Sequence, residues 1–238
     1  MHKISLEHIT HRYGDNKVLE DFSFSFEEAK TTCMIGPSGC GKTTILRLIA
    51  GLEVPQKGII KINETVATEN EKILLPPHKR EIGFVFQDLA LWPHFTVFRN
   101  IAFGLKDRKE EKVSHQVDQI LDLFGISDKA RKFPHQLSGG QKQMVAIARS
   151  LVHRPEIFLM DEPLANIDVK VKEEILAHIN QLQQQLRFTM LYVTHDHQEA
   201  MQTGDKILVM NEGVIEAAGT KEEIENSTNH FVRSFIKL

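Results

Sequence analysis

The residues best equipped for chemistry lie at Gly36-Pro37-Ser38-Gly39-Cys40-Gly41-Lys42-Thr43-Thr44, whose spacing fits G-x-x-x-x-G-K-[ST] at every fixed position. In such a loop the glycines let backbone N–H groups approach phosphate oxygens closely, and a helix N-terminus behind them adds partial positive charge. Lys42 is then placed to reach β- and γ-phosphates, and the Thr43 hydroxyl to ligate Mg²⁺. The flanks suit this geometry. Thr31-Thr32-Cys33-Met34-Ile35 reads as a short strand, while Ile45, Leu46, Leu48 and Ile49 give a buried helix closed by Gly51. The loop implies a site for ATP or GTP.

Further polar residues stand at the ends of apolar runs. Ile157-Phe158-Leu159-Met160 is continuous enough for a central parallel strand buried on both faces, and it ends in Asp161 and Glu162. Open α/β sheets hold their ligands at that end of the strands. Phe188 to Val193 reads as another strand, delivering Thr194-His195-Asp196 to the same edge, and Ile82 to Phe86 as a third, ending at Gln87. An Asp-Glu pair ending an apolar strand is by itself an ordinary polar cap, but two adjacent carboxylates beside a phosphate loop are less easily dismissed.

The elements around these residues follow from periodicity. Ile4, Leu6 and His8, then Phe22, Phe24 and Phe26, alternate at period two, which predicts half-buried antiparallel strands ahead of the loop, with Tyr13 in a turn between them. After Gly51 come a turn at Pro55 to Gly58 and a strand at Ile59 to Ile62. Asn63 to Lys72 reads as a surface loop or ragged hairpin, and Pro76-Pro77 excludes a helix there. From Thr96 to Leu151 the pattern is mainly helical: Val113, Val117, Ile120, Leu121 and Phe124 predict an amphipathic helix from Lys109 to Phe124, stopped by Gly125. Pro134 breaks the chain before Leu137-Ser138-Gly139-Gly140-Gln141, after which Met144, Val145, Ile147, Ala148 and Leu151 carry a second helix. A helix from about Asp168 to Leu186, two strands around Asn211-Glu212-Gly213, and two short C-terminal helices complete the chain.

Composition narrows the class. The 238 residues are 41% hydrophobic, enough for one large core or a core with a subdomain, and the net charge of −3 gives no electrostatic reason to expect nucleic-acid binding. Two cysteines, Cys33 and Cys40, make neither a disulfide framework nor a metal cluster, which fits a reducing cytoplasm. The first residues alternate like a strand rather than forming a signal peptide, and no run approaches the roughly 18 apolar residues that a membrane span requires. Work at a membrane would need other chains to supply the spanning part.

Taken in order, Tyr13, GPSGCGKTT, Gln87, LSGGQ, IFLMDE, Asp168 and His195 resemble the nucleotide-binding subunit of ATP-binding cassette (ABC) transporters across essentially the whole chain. LSGGQ is the discriminating piece, because phosphate loops occur in many NTPases. The resemblance implies an α/β fold: a P-loop NTPase (RecA-like) core with an antiparallel β subdomain and an inserted α-helical subdomain. Residues 1–87 and 155–238 would form the nucleotide-binding core with its β subdomain, and 88–154 the helical subdomain.

The same resemblance implies ATP and Mg²⁺ as cofactors. Tyr13 would stack on adenine; Gly36 to Thr44 would hold phosphates; Thr43, Gln87 and Asp161 would serve the metal. Glu162 would be the general base, with His195, Gln87 and Lys42 completing the catalytic set. Ser138, Gly139, Gly140, Gln141 and Asp168 would meet the nucleotide bound to a second copy of the chain, so the working unit is expected to be an ATP-sandwich homodimer. Ala165-Asn166-Ile167-Asp168 departs from the usual Ser-Ala-Leu-Asp, and Met144 stands where arginine is common. Gln87 to Val97 and Asn100 to Leu105 look like the importer branch serving sugars, polyamines, ferric iron and sulfate. Its C-terminal regulatory barrel is not expected within this length. The expected setting is the cytoplasmic face of the inner membrane, beside permease subunits and a solute-binding protein. The rivals are a soluble ABC-family ATPase without a transport role, whose usual coiled-coil insertion or second cassette is missing from the pattern, and an exporter subunit.

Overall fold

The computed structural model describes residues 2–105, 110–165 and 167–236. Lys109, expected to begin a helix, and Asn166 lie outside them. In chain order the elements are β1 (His2–Tyr13), β2 (Asn16–Glu27), β3 (Thr31–Ile35), α1 (Lys42–Ala50), β4 (Lys57–Ile62), β5 (Thr65–Glu69), β6 (Lys72–Ile73) and β7 (Ile82–Val85). The helices α2 (Val97–Ala102), α3 (Glu110–Leu123) and α4 (Gly139–Leu151) follow. Then come β8 (Ile157–Asp161), α5 (Val169–Leu186), β9 (Thr189–Val193), α6 (His197–Thr203), β10 (Lys206–Asn211), β11 (Val214–Gly219), α7 (Lys221–Glu225) and α8 (His230–Ile236).

Two sheets result. The first is antiparallel in the order β2-β1-β4-β5-β6; the second runs β11-β10-β3-β9-β8-β7, parallel throughout except at β11. Strands β3, β8 and β9 are buried at every position. Their alternate residues feed two cores. Met34, Leu159 and Leu191 pack with Ile45, Leu48 and Ile49 of α1 and with Ile4, Leu6 and Phe26 of the first sheet. Cys33, Phe158, Met160 and Tyr192 instead join Val117, Val145 and Ile179 of the surrounding helices. Because both faces are covered, the apolar runs are continuous rather than alternating.

Several local expectations are corrected. Ile4 and Leu6 are buried as the alternation predicts, but His8 is exposed at φ 55 beside a register shift, and Ile9 and His11 take the inward positions. An extra residue in one strand of an antiparallel pair moves all later side chains to the opposite face. Tyr13 ends β1 instead of lying in a turn. Of the two readings of residues 63–72 the hairpin holds, with β5 pairing β6 through Thr68 with Ile73 and Glu69 with Lys72, while Pro77–Lys79 forms a 3₁₀ turn, which tolerates proline at its first position. Helix α6, which no sequence pattern signals, is short and capped by Asp196, whose side chain accepts from the N–H groups of Gln198 and Glu199.

One buried cation ties α1 to the first sheet. Arg80, 2% exposed, donates through Nε to the Leu75 carbonyl at 2.9 Å and through Nη1 to the carbonyls of Leu48 and Ile49 at 3.1 and 2.6 Å. Its Nη2 donates to the Ala67 carbonyl at 3.3 Å and to Thr68 Oγ1 at 2.7 Å. Leu48 and Ile49 lie in the last turn of α1, where carbonyls lack helical partners. Gly51 is required beneath the guanidinium, since at φ 75 a Cβ would lie 2.6 Å from Arg80 Cζ. Burial lowers the Arg80 pKa to about 10, so it remains charged at neutral pH. Arg80→Ala leaves these buried acceptors unmatched and is expected to lower unfolding free energy by roughly 3 kcal/mol in a urea titration. A loss below about 1 kcal/mol would show that water replaces the guanidinium readily.

Candidate functional site

The parallel order β3-β9-β8-β7 sets four strand ends side by side: the loop at 36–41, Thr194-His195, Asp161-Glu162 and Gln87. The loop's shape depends on Gly36, at φ 153, where a Cβ would lie 2.2 Å from the Met210 carbonyl oxygen. Cys40 N–H donates to the Pro37 carbonyl at 3.3 Å, and Gly41 in a left-handed conformation precedes α1. Lys42 is buried and folds back over the loop. Its Nζ donates to the carbonyls of Gly36 at 2.7 Å and Pro37 at 2.9 Å, with Cys40 Sγ at 3.6 Å.

Asp161 ends β8 and accepts from the Thr43 hydroxyl at 2.8 Å. Burial raises its pKa against the opposing effect of the Thr43 hydrogen bond. Glu162 adopts φ 44, a strained backbone for a residue with a side chain, and its N–H donates to the Val193 carbonyl at 3.0 Å. That turn sends the carboxylate to His195, whose Nδ1 lies 3.2 Å from Glu162 Oε2. Tyr13, Ser38, Gly39 and Gly41 line a cleft of about 450 Å³ together with Lys42, Thr43, Thr44, Gln87 and Glu162. Asn16 and Val18 also line it and had no signal in the sequence, because only the β1–β2 pairing brings them there. The side chain of Cys40 turns into the core, 3% exposed.

The signature residues stand elsewhere. Ser138 caps α4 through a reciprocal pair: its Oγ accepts from Gln141 N–H, and the Gln141 side chain accepts from Ser138 N–H. Ser138, Gly140 and Gln141 line a separate cleft of about 490 Å³ with Met144 and Val171. Gly139 begins α4, and Asp168 caps α5 by accepting from Lys170 N–H at 3.1 Å. One chain thus brings the loop, Asp161, Glu162, His195, Gln87 and Tyr13 together and holds the LSGGQ turn apart from that cleft.

Residues 19–165 match the family model described as ABC transporter. The chain belongs to the ABC transporter family. This ABC protein is 44% identical over 228 residues to the trehalose/maltose import ATP-binding protein of Thermococcus litoralis, covering 94% of the chain and 61% of that relative. It is 43% identical over 236 residues to the Fe(3+) ions import ATP-binding protein of Fusobacterium nucleatum, covering 98% of the chain and 62% of that relative. The chain thus spans a little over three fifths of the length of these curated relatives. The fold matches, with a TM-score of 0.81 and 30% identity over 91% of this chain and 98% of the other, a dimeric ATP-binding cassette in a post-hydrolysis state bound to ADP and Pi.

The raised pKa of Asp161 has a consequence for this ABC protein's stability. A carboxyl whose folded pKa exceeds its unfolded value loses stability as pH rises through that window, because the unfolded chain releases the proton first. Asp161→Asn keeps an acceptor for Thr43 and removes the buried charge. Thermal denaturation of the nucleotide-free variant is expected to give a higher Tm than wild type at pH 7.5, with the difference vanishing towards pH 4. An equal or lower Tm at pH 7.5 would show that the carboxylate is fully compensated.

Proposed function

We propose that the chain binds and hydrolyses ATP as the nucleotide-binding subunit of an ABC importer. The observation that carries this is the joining of Lys42, the Thr43–Asp161 pair and the Glu162–His195 pair at one edge of the sheet. Adenine would stack on Tyr13, half exposed at the cleft. The loop N–H groups would surround the phosphates, with Lys42 exchanging its carbonyl acceptors for β- and γ-phosphate oxygens. Water would attack the γ-phosphorus as the bond to the bridging oxygen breaks; Glu162 takes the water's proton, and ADP and phosphate leave. His195 would contact the γ-phosphate and orient the water, with Gln87 on its other side. Thr43 and Asp161, hard oxygen donors within hydrogen-bond distance of each other, fit Mg²⁺, and Gln87 would join them. Bound there, the ion would neutralise phosphate charge.

Completion of the site would come from a second copy. Ser138, Gly139, Gly140, Gln141 and Asp168 sit at or beside helix N-termini outside the first cleft, as suits contact with a γ-phosphate held by a partner. Residues 1–87 and 155–238 would act as the core with its β subdomain, and 88–154 as the moving helical subdomain. No helix among the described residues is long and apolar enough to cross a membrane, so permease subunits would supply the path. The chain would work peripherally at the cytoplasmic face of the inner membrane, served by a solute-binding protein. Relatives of nearly equal identity are named for sugars and for Fe(3+), so the solute is left to those partners.

The surface for a permease would be the groove of about 630 Å³ lined by Phe84, Trp92, Phe103, Arg149 and His153. Trp92 packs 4.1 Å from the Phe103 ring centroid, and the Arg149 guanidinium lies 5.0 Å from its own. Aromatic and arginine anchors in a concavity suit a docking helix. Leu89 and Leu91 instead pack against the core.

Glu162→Gln is expected to keep ATP affinity within about twofold while lowering kcat by roughly 10³-fold, since an amide is a poor base. In light scattering the same variant should double in mass with ATP, and adding Ser138→Arg should abolish the doubling; wild-type turnover or an ATP-independent mass would refute the assignment. Trp92→Asp should abolish solute uptake in membranes while the isolated subunit keeps its ATPase rate. Full uptake would move the docking surface elsewhere.

A further inference from the structure

A phenol at the mouth of a cleft has rotational freedom, and a stacking platform gains when that freedom is removed before the ligand arrives. Tyr13 is 45% exposed, yet its hydroxyl is tied at two points. It donates to Glu53 Oε2 and lies 3.3 Å from Thr44 Oγ1 on α1. Glu53 follows Gly51 at the end of α1, and its side chain is only 19% exposed. Its other oxygen accepts from Arg47 Nη1 at 3.2 Å. The His11 ring meets Tyr13 edge to face at a centroid distance of 4.8 Å, with Nε2 at 3.3 Å from Glu53 Oε2 but off the line of a hydrogen bond. One carboxylate therefore gathers groups from β1 and α1, the strand that carries the aromatic ring and the helix that carries the phosphate loop.

We propose that Glu53 is a positioning residue for nucleobase binding: its carboxylate holds the Tyr13 hydroxyl and so fixes the ring that receives the base at a set place relative to the phosphate loop. This rests on the reading that ATP occupies the first cleft with its base on Tyr13. Burial, and then the Glu53 hydrogen bond, raise the Tyr13 pKa, so the phenol stays a donor at neutral pH. The bond to Glu53 likewise keeps the Arg47 guanidinium above its ordinary pKa against burial, so the carboxylate has a fixed cation on its far side. An ion pair between Arg47 and Glu53 alone would contribute little at this exposure. The carboxylate matters because its second oxygen faces the phenol.

The test compares ATP with Mg²⁺-tripolyphosphate, which shares the phosphates and lacks the base, on the full chain carrying Glu53→Ala, Glu53→Gln, Tyr13→Phe, Tyr13→Ala or Glu53→Ala with Tyr13→Phe. Glu53→Ala is expected to raise KM for ATP roughly five- to tenfold at unchanged kcat, and Glu53→Gln, which keeps an acceptor, roughly twofold or less. The inhibition constant of tripolyphosphate should not move. In the Tyr13→Phe background, where the hydroxyl is gone, Glu53→Ala should add less than about twofold. Equal losses for ATP and tripolyphosphate, or an undiminished effect of Glu53→Ala in Tyr13→Phe, would overturn the proposal by showing that Glu53 acts through α1. An unchanged KM in Glu53→Ala while Tyr13→Ala raises it would refute the positioning role alone. An unchanged KM in Tyr13→Ala would instead refute the base platform on which the proposal rests.

Discussion

The site depends on how an ammonium can be kept inside a protein loop. Lys42 is 5% exposed, and a buried cation without acceptors is costly enough to unfold the segment around it. Here the loop supplies the acceptors from its own backbone, the carbonyls of Gly36 and Pro37. Turning those two carbonyls inward requires the backbone that only glycine adopts at position 36, against the Met210 carbonyl. A loop that spends carbonyls on a cation leaves N–H groups to face an anion. The same lysine that favours a phosphate thus shapes the loop that receives it.

Holding this loop against the rest falls to buried polar groups with long reach. Arg80 fastens the end of α1 to β5, so the helix behind the phosphate loop cannot shift without breaking bonds at both ends. Asn100, fully buried, does the equivalent for the segment after Gln87. It accepts from Trp92 N–H at 2.9 Å and donates to the carbonyls of Trp92, Phe95 and Thr96, each at 3.1 Å. Arg149 adds bonds to the Leu89 and Ala90 carbonyls at 2.7 and 2.6 Å, both residues having positive φ. An irregular segment with this many satisfied groups is held together as one unit. Motion of Gln87 and of the Trp92 groove would be linked for that reason.

What the sequence made legible has a common character. The phosphate loop, the apolar strands ending in Asp161 and Val193, and the helix that follows Leu137-Ser138-Gly139-Gly140-Gln141 are local patterns, and each stands where its pattern put it. What escaped is pairing at a distance. The shift at His8 turns on how β1 meets β2, and nothing in the spacing of residues 4–8 signals it. Nothing in the sequence singles out Arg80, whose role appears only where β5 and α1 converge on it. Glu53 shares that history, since Arg47 is near in sequence while Tyr13 is 40 residues away. Helix α6 was hidden because only Ala200 and Met201 among its seven residues are apolar, too few to set a period.

The last such long-range group explains why His195 sits where it does. Glu199 of α6 is 4% exposed and would be untenable alone, but its Oε2 accepts from the hydroxyls of Tyr192 and Thr194, each at 2.8 Å. Its Oε1 meets Lys172 Nζ at 2.7 Å, and that ammonium also reaches Asp196 Oδ2 at 3.0 Å. Burial works against the charge on Lys172, yet these two carboxylates hold its pKa above the ordinary range. Thr194 and Asp196 flank His195, so the backbone is pinned on both sides while the imidazole, 62% exposed, is left to meet Glu162. Lys172 belongs to the first turn of α5, where its N–H donates to the Asp168 carbonyl at 2.8 Å. The start of α5 at Asp168 and the segment holding the histidine are thus joined by a continuous run of contacts through Lys172, which meets both Glu199 and Asp196, most of it charge-assisted hydrogen bonds.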